Sequence, residues 1–404
     1  MSHLRFKLKK QISRTSLYNG FIMLFLFLAT MNFGNYGYYW LIVAFIVFLF
    51  TPNRLVRINL SSIYLFILAV SMLIFDPLSR TSITSCIKPF MFLIAYTVGI
   101  SLAAKTNDNP TNERTPKHII YVCAFGMLSH FLLNLLRLIK NFGSLERNTT
   151  DIWTNAVLSA TGQASLACLS IAIFASFLFT ETTVKKKVFS LFGILVILLY
   201  NLILAGRTLI VLIAVVCLIA FLFRAHYDGR HIEKSVLGIA VMTVALLIVY
   251  NFNIFNIKSI VENSNLYARL LGFDGLGLFG DSRFGMKLLY LQKFLEHPFG
   301  GAYIRSICGN YAHDLYLDCY DQYSIFALFA IIAYILSSLI RLFRCLRNAS
   351  LSFPTKQLVL CTYIVANLEF LIEPIIQGMP FLLISYCIID GTISYYLTIK
   401  TKTS

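Results

Sequence analysis

Apolar residues run through this chain in long blocks, without the alternation of half-buried strands. Twelve blocks stand out, near 17–32, 36–51, 60–76, 83–104, 117–140, 156–180, 187–205, 207–224, 235–250, 323–343, 357–373 and 379–398. A helix needs about 20 apolar residues to cross a bilayer. Several blocks fall short of that, and the first pair also fits a tilted hairpin. The longest stretch unsuited to lipid is 251–322, between the ninth and tenth blocks. The pattern predicts an all-α polytopic membrane protein of about twelve transmembrane helices. It forms one integral membrane domain over 1–404, and the 251–322 loop lies outside and carries an amphipathic helix.

Composition removes the soluble alternatives that length alone would allow. Hydrophobic residues make up 58% of the chain and charged ones 13%, with a mean hydropathy of +0.75. Such values belong to a chain that is mostly in lipid. Met1 to Arg14 is basic, but no small-residue cleavage site follows the first block, so no cleavable signal peptide is expected.

Charge then orients the chain. With a cytoplasmic N-terminus, the cytoplasmic segments collect Arg54 and Arg57, the Lys185–Lys187 triplet, Arg224, Arg230 and Lys234, and Arg341, Arg344 and Arg347. Most of the 34 basic residues fall on that side, as the positive-inside rule requires. The net charge of +16 therefore calls for no nucleic-acid partner. Both termini come out cytoplasmic. The cytoplasmic connections are too short to hold a nucleotide-binding domain, which points to chemistry on the outer face with a substrate that carries its own activation.

Nine cysteines are present without a C-x-x-C pair, so there is no zinc or redox motif. Cys308 and Cys319 flank His313 in the external loop, where they fit either a bridge or two buried thiols.

The candidate chemistry lies in and around that loop. A helix is expected from Asp281 or Ser282, as N-cap, to the His297-Pro298 turn. Arg283 and Lys287 share one face of it, being four apart. Phe284, Leu288, Leu291 and Leu295 form an apolar face suited to a bilayer surface. The two faces fit a helix resting on headgroups and equally a phosphate clamp, because guanidinium binds phosphate oxygens in pairs. Arg305 adds a further cation to the loop. Arg207 follows Gly206 at the outer end of an apolar block, where an arginine either snorkels or meets an anion. His313 can accept a proton near neutral pH or simply pack the loop. Asp314, Asp318 and Asp321 follow it on one face but lack a second ligand set for a metal. Glu369 and Glu373, four apart in an apolar block, are costly in lipid unless partnered. Either they accept from Arg207 or Arg283, or they orient or assist the base, and the sequence leaves both roles open. Gly275 to Gly280 matches GxGxxG formally, but without a βαβ context it reads as a turn.

Taken together, Gly206-Arg207-Thr208, the arginine-led loop helix at Arg283, His297-Pro298-Phe299-Gly300-Gly301 and Ala312-His313-Asp314-Leu315-Tyr316-Leu317 resemble the O-antigen polymerase and ligase superfamily. The resemblance covers mainly 156–325. It implies a bacterial inner-membrane, metal-independent, inverting glycosyltransferase of polysaccharide biosynthesis, needing no cofactor. Undecaprenyl-diphosphate-linked glycans would be its substrates, with membrane lipids and a chain-length regulator protein as partners. Arg207 and Arg283 would hold the donor diphosphate and His313 would assist the acceptor hydroxyl, with Lys287, Arg305, Asp314, Glu369 and Glu373 lining the substrate. Many members have Asn where this chain has Asp314, which removes a familiar partner of the histidine. The short interval from Arg283 to His313 favours a polymerase over a ligase acting on a lipid A core. A lipid-linked oligosaccharide flippase is the rival from another class. It would show internal repeats and midplane polar residues, whereas the informative residues here cluster at one face and no repeat is visible. A non-catalytic assembly protein would need no histidine beside its cations.

The topology is testable directly. Reporter fusions at Asp228 and Lys356 should read cytoplasmic, and fusions at Gly275 and Gly309 periplasmic; a cytoplasmic reading at Gly309 removes the outer-face argument.

Overall fold

The computed structural model describes residues 14–51, 57–76, 82–105, 113–140, 149–180, 183–204, 206, 208–228, 251–253, 258, 262 and 282–400. Within them the protein is mostly helical. The first half contributes α1 (Arg14–Thr30), α2 (Gly37–Leu49), α3 (Leu60–Phe75), α4 (Ile83–Ile87), α5 (Met91–Lys105) and α6 (Arg114–Lys140). A short antiparallel hairpin, β1 (Thr149–Thr150) with β2 (Val157–Leu158), precedes α7 (Ala160–Thr180), α8 (Val184–Ile203) and α9 (Thr208–Tyr227). After α10 (Ser282–Gln292), α11 (Tyr303–Cys308) and α12 (Leu315–Tyr323) come α13 (Ile325–Arg347), α14 (Phe353–Phe370), α15 (Ile375–Gly378) and α16 (Pro380–Lys400).

Six of the described helices are long and apolar enough to cross a membrane: Ser85–Ala104, Arg114–Lys140, Ala160–Thr180, Thr208–Tyr227, Ile325–Arg347 and Pro380–Leu397. Three shorter apolar helices lie at Leu17–Thr30, Gly37–Leu49 and Leu60–Phe75. The predicted block at 235–250 and the GxGxxG stretch lie outside the described residues.

Helix α7 is the hub. It packs against α6, α8, α9 and α14, and every residue from Gln163 to Ser176 is buried. Its sequence explains this, because Ala, Ser and Cys recur on all sides and let four neighbours approach closely. On the far side of the bundle α5 and α16 make the most extensive helix pair. Gly99 and Gly391 sit at their crossing, where a Cβ on either would overlap the backbone carbonyl of Ile388 or Tyr96.

Turns and termini gather at two opposite ends of the bundle. At one end Glu113 accepts hydrogen bonds from Ser352 and Thr355, and the Arg224 guanidinium lies over Phe353. The other end holds the β1–β2 hairpin, the α14–α15 turn and α10 to α12. A buried ion pair braces the interior between them. Arg341 Nε donates to Asp390 Oδ1 at 2.9 Å, its Nη2 reaches Oδ2, and the Tyr363 hydroxyl adds a third bond at 2.8 Å.

Close packing at Gly391 gives a stability prediction. Gly391→Ala should lower stability by about 1–3 kcal/mol, the usual cost of overpacking, seen as a reduced Tm in detergent. Gly285→Ala, with open space where its Cβ would go, should leave Tm unchanged or higher. Equal effects at the two positions would contradict the packing.

Candidate functional site

Three segments far apart in sequence meet at the end of the bundle that carries α10 to α12. The first is the C-terminal end of α14, where Glu373 N–H donates to Glu369 O at 3.1 Å, so the two carboxylates stand one turn apart. Both are buried. Glu369 Oε1 accepts from the Ser165 hydroxyl of α7 at 2.5 Å. Among the described residues no partner reaches Glu369 Oε2 or either amide atom of the buried Gln163.

The second segment is α10, which lies over that end. Arg283 Nη1 pairs with Glu373 Oε1 at 3.0 Å and also approaches Ile372 O. One turn on, Lys287 Nζ donates to Leu371 O and lies 3.5 Å from Asp314 Oδ2. Of the two arginines offered as partners for the glutamates, Arg283 takes Glu373. Arg207 lies outside the described residues. Gly206 before it is held by Asn201 and sits next to Ala160, the first residue of α7.

α10 is shorter than the sequence predicts. It ends at Gln292, and turns lead from there to His297. The Tyr320 hydroxyl causes this by accepting the Leu295 N–H at 2.7 Å, which holds Leu295 in a left-handed conformation with φ 78°. The side facing the bundle buries Tyr290, whose hydroxyl donates to Asn310 O. Leu288 and Leu291 face outward and are exposed, as the expected apolar face requires, while Leu295 has left the helix.

The third segment is the loop around His313, and its aspartates hold it in place. Asp314 caps α12 by accepting from Leu317 N–H at 2.7 Å. Asp318 accepts from Ala312 N–H at 2.7 Å and Asp314 N–H at 3.1 Å, bracketing His313. Asp321 does the same for the start of α11, through Ile304 and Arg305 N–H. Apart from Asp314 Oδ2, which faces Lys287, their oxygens are thus engaged by backbone donors. Among the described residues no group of three or more His, Cys, Asp or Glu is placed to hold a metal. His313 itself has φ 59°, one of four non-glycine residues between 282 and 324 in the left-handed region. Such strain persists only where the surroundings impose it.

The remaining expectations divide. Arg305 stacks over Tyr311 with its guanidinium carbon 3.8 Å from the ring, on the loop but with no described contact to Glu373 or Lys287. The His297 turn folds back onto α12: Gly301 N–H donates to Gln322 O and Ala302 N–H to Asp321 O. A Cβ at Gly300 would strike that strand of backbone, and its φ of 77° suits glycine. Cys308 and Cys319 are both free thiols, Cys319 being buried in the main core.

A second polar cluster, which no sequence motif announces, lies at the same end. His130 Nε2 lies 2.6 Å from Asp151 Oδ2, and both are buried. Asp151 also accepts from Trp153 N–H, Thr154 N–H and the Thr154 hydroxyl, and Arg137 clamps the turn through Asp151 O. Burial raises the Asp151 carboxyl, but His130 and these donors outweigh it and bring it down to about 2. A histidine inside an apolar block was the available signal.

Comparison with family models and with curated proteins gives no match to the chain, so the family resemblance rests on its own residues.

The brace at Asp318 has a pH signature. Burial is the main effect on its carboxyl. The two amide donors oppose it, and the charges on Asp314 and Asp321 add to it, leaving it at about 7 against an ordinary 3.8. A raised folded value means that the folded loop holds more protons than the unfolded one between those limits. Its stabilisation is complete below the ordinary value and is lost as pH rises through about 7. Hydrogen exchange of the 311–318 peptide, corrected for intrinsic rate, should therefore accelerate on going from mildly acidic to mildly alkaline buffer. Asp318→Asn should flatten that dependence; an unchanged profile in the variant would assign the effect elsewhere.

Proposed function

We propose that the protein is an O-antigen polymerase, an inverting glycosyltransferase that joins undecaprenyl-diphosphate-linked repeat units at the periplasmic face of a bacterial inner membrane. One observation supports this reading above the others. Arg283 and Lys287, the acidic pair Glu369 and Glu373, and the His313–Asp314 turn converge from three separate segments at one end of the bundle.

The chemistry this arrangement suits is displacement of a diphosphate. An acceptor hydroxyl attacks the anomeric carbon of the donor sugar as the bond from that carbon to phosphate oxygen breaks. The electron pair leaves with undecaprenyl diphosphate, and the hydroxyl proton passes to His313. Cations fixed beside the leaving group stabilise the charge it gains. Arg283 and Lys287 supply them. A guanidinium has five donors in a fixed fork, so Arg283 can keep Glu373 and still bind phosphate oxygen. The pairing with Glu373 sets the direction of that fork. Lys287 lies between Glu373's turn and Asp314, next to the proposed base, so donor and acceptor would meet across α10. Twelve spans, cytoplasmic termini and an external loop complete the proposal, with Arg207 as the second diphosphate ligand.

Deleting the gene and separating surface glycans on a gel tests the assignment. A polymerase deletion leaves glycan caps of a single repeat, a ligase deletion leaves no attached glycan, and a flippase deletion accumulates lipid-linked units in the cytoplasm. Wild type should restore a ladder. Arg283→Ala and His313→Ala should not, and Arg283→Lys should restore it partly, since a point charge keeps attraction but loses the paired geometry. His313→Asn is the informative control, because Asn tolerates the left-handed backbone yet cannot act as base. It should keep normal protein level and lose about 10²–10⁴ in rate. A full ladder from His313→Asn would return His313 to a packing role.

A further inference from the structure

A cavity of about 850 Å³ opens at the end of the bundle opposite the candidate site. The two are separated by the length of α13. That helix starts beside the loop, where Ile325 N–H donates to Pro298 O, and its 23 residues carry the chain roughly 30 Å away. Arg57, Arg341, Arg344 and Arg347 all line the cavity.

Their states differ. Arg341 is spoken for, because Asp390, itself held by the Tyr363 hydroxyl, fixes it and its Nη1 also donates to Ser61 and Ser337. It forms a rigid, polar floor to which Asn59 and Ser394, hydrogen-bonded to each other, contribute. Among the described residues no carboxylate lies within ion-pair distance of Arg57, Arg344 or Arg347. The nearby Glu113 is taken by Lys117, Ser352 and Thr355. Among the described residues, three guanidiniums therefore share a concave space without a counter-charge. A basic residue that only anchors a helix end needs no cavity, and lysine would serve it equally. Every cation among the described lining residues is arginine, the side chain whose fork matches phosphate. The wall is apolar and open: Ile58 is 78% exposed, Leu60 63% and Ile340 52%.

We propose that this cavity binds a phosphate-bearing anion, its phosphate held by Arg57, Arg344 and Arg347. The exposed Ile58, Leu60 and Ile340 beside it suit an acyl chain, which makes the headgroup of an anionic phospholipid the expected source over free phosphate. This site stands independently of the glycan reading, since it shares no residue with it.

The full-length protein in detergent is titrated with phosphatidylglycerol, with phosphatidylcholine and with inorganic phosphate. Bound lipid is counted by native mass spectrometry, and Tm is followed in parallel. Wild type should bind phosphatidylglycerol about tenfold more tightly than phosphatidylcholine, from the usual contribution of basic residues near anionic headgroups. Arg344→Gln/Arg347→Gln should lose that preference. Lys185→Gln/Lys186→Gln, a pair of exposed basic residues away from the cavity, should keep it. A Tm rise with inorganic phosphate, absent in the double variant and without lipid selectivity, would support the site with a soluble phosphate as its source. Arg344 and Arg347 are exposed, so the double variant should match wild-type Tm without added anion; should it unfold, Arg57→Gln gives the same reading. Wild type with neither lipid selectivity nor a phosphate response overturns the proposal, as does a double variant that retains both.

Discussion

Two carboxylates buried one turn apart at the end of α14 are the constraint around which this end of the molecule is arranged. A carboxylate in an apolar surrounding is tolerated only with donors or a counter-charge. Glu369 obtains a donor from Ser165 on the central helix, and Glu373 obtains a counter-charge from Arg283. The second pairing requires α10 to lie across the bundle, and Lys287 continues the same seam through Leu371 O to Asp314. The loop is thus drawn onto the membrane domain by charges that lipid alone would not accept. Glu373 therefore acts on the architecture and on the candidate chemistry through the same contact, and Glu369 stands behind it on Ser165.

The loop contributes its own order. Asp314, Asp318 and Asp321 each accept backbone N–H groups that would otherwise be orphaned at helix starts or in turns. A small core of Tyr290, Ile304, Ala312, Tyr320 and Leu328 lies beneath them. His313 is held in a left-handed conformation between amides bonded to Asp318. Reacting groups need such a support, since small displacements cost large factors in rate. Strain at a histidine braced on both sides suits a residue whose position matters more than its local comfort.

Much of this could be read in the sequence, for identifiable reasons. Apolar blocks yield helices because lipid leaves the backbone no other partner. The pairing of Arg283 and Lys287 on one face follows from helical spacing, and the need of Glu373 for a partner from the cost of charge in lipid. What escaped depends on contacts between distant residues. The end of α10 at Gln292 is set by a tyrosine hydroxyl from α12, and no local signal encodes it. The aspartates lacked a second ligand set for a metal in the sequence, but nothing local showed that they accept backbone amides instead. Asp390 in an apolar run carried the same signal as Glu369, and its partner Arg341 comes from the basic end of another helix, α13. His130 and Asp151 lie in different elements, and only the hairpin fold brings them together.

The most direct measurement of the central claim is turnover by the purified wild-type protein on a synthetic undecaprenyl-diphosphate-linked repeat unit. The account predicts a lengthened lipid-linked glycan with inverted configuration at the new linkage and release of one undecaprenyl diphosphate for each bond formed. Donor that crosses the bilayer of a vesicle with its diphosphate linkage intact, and with no glycan lengthened, would contradict it.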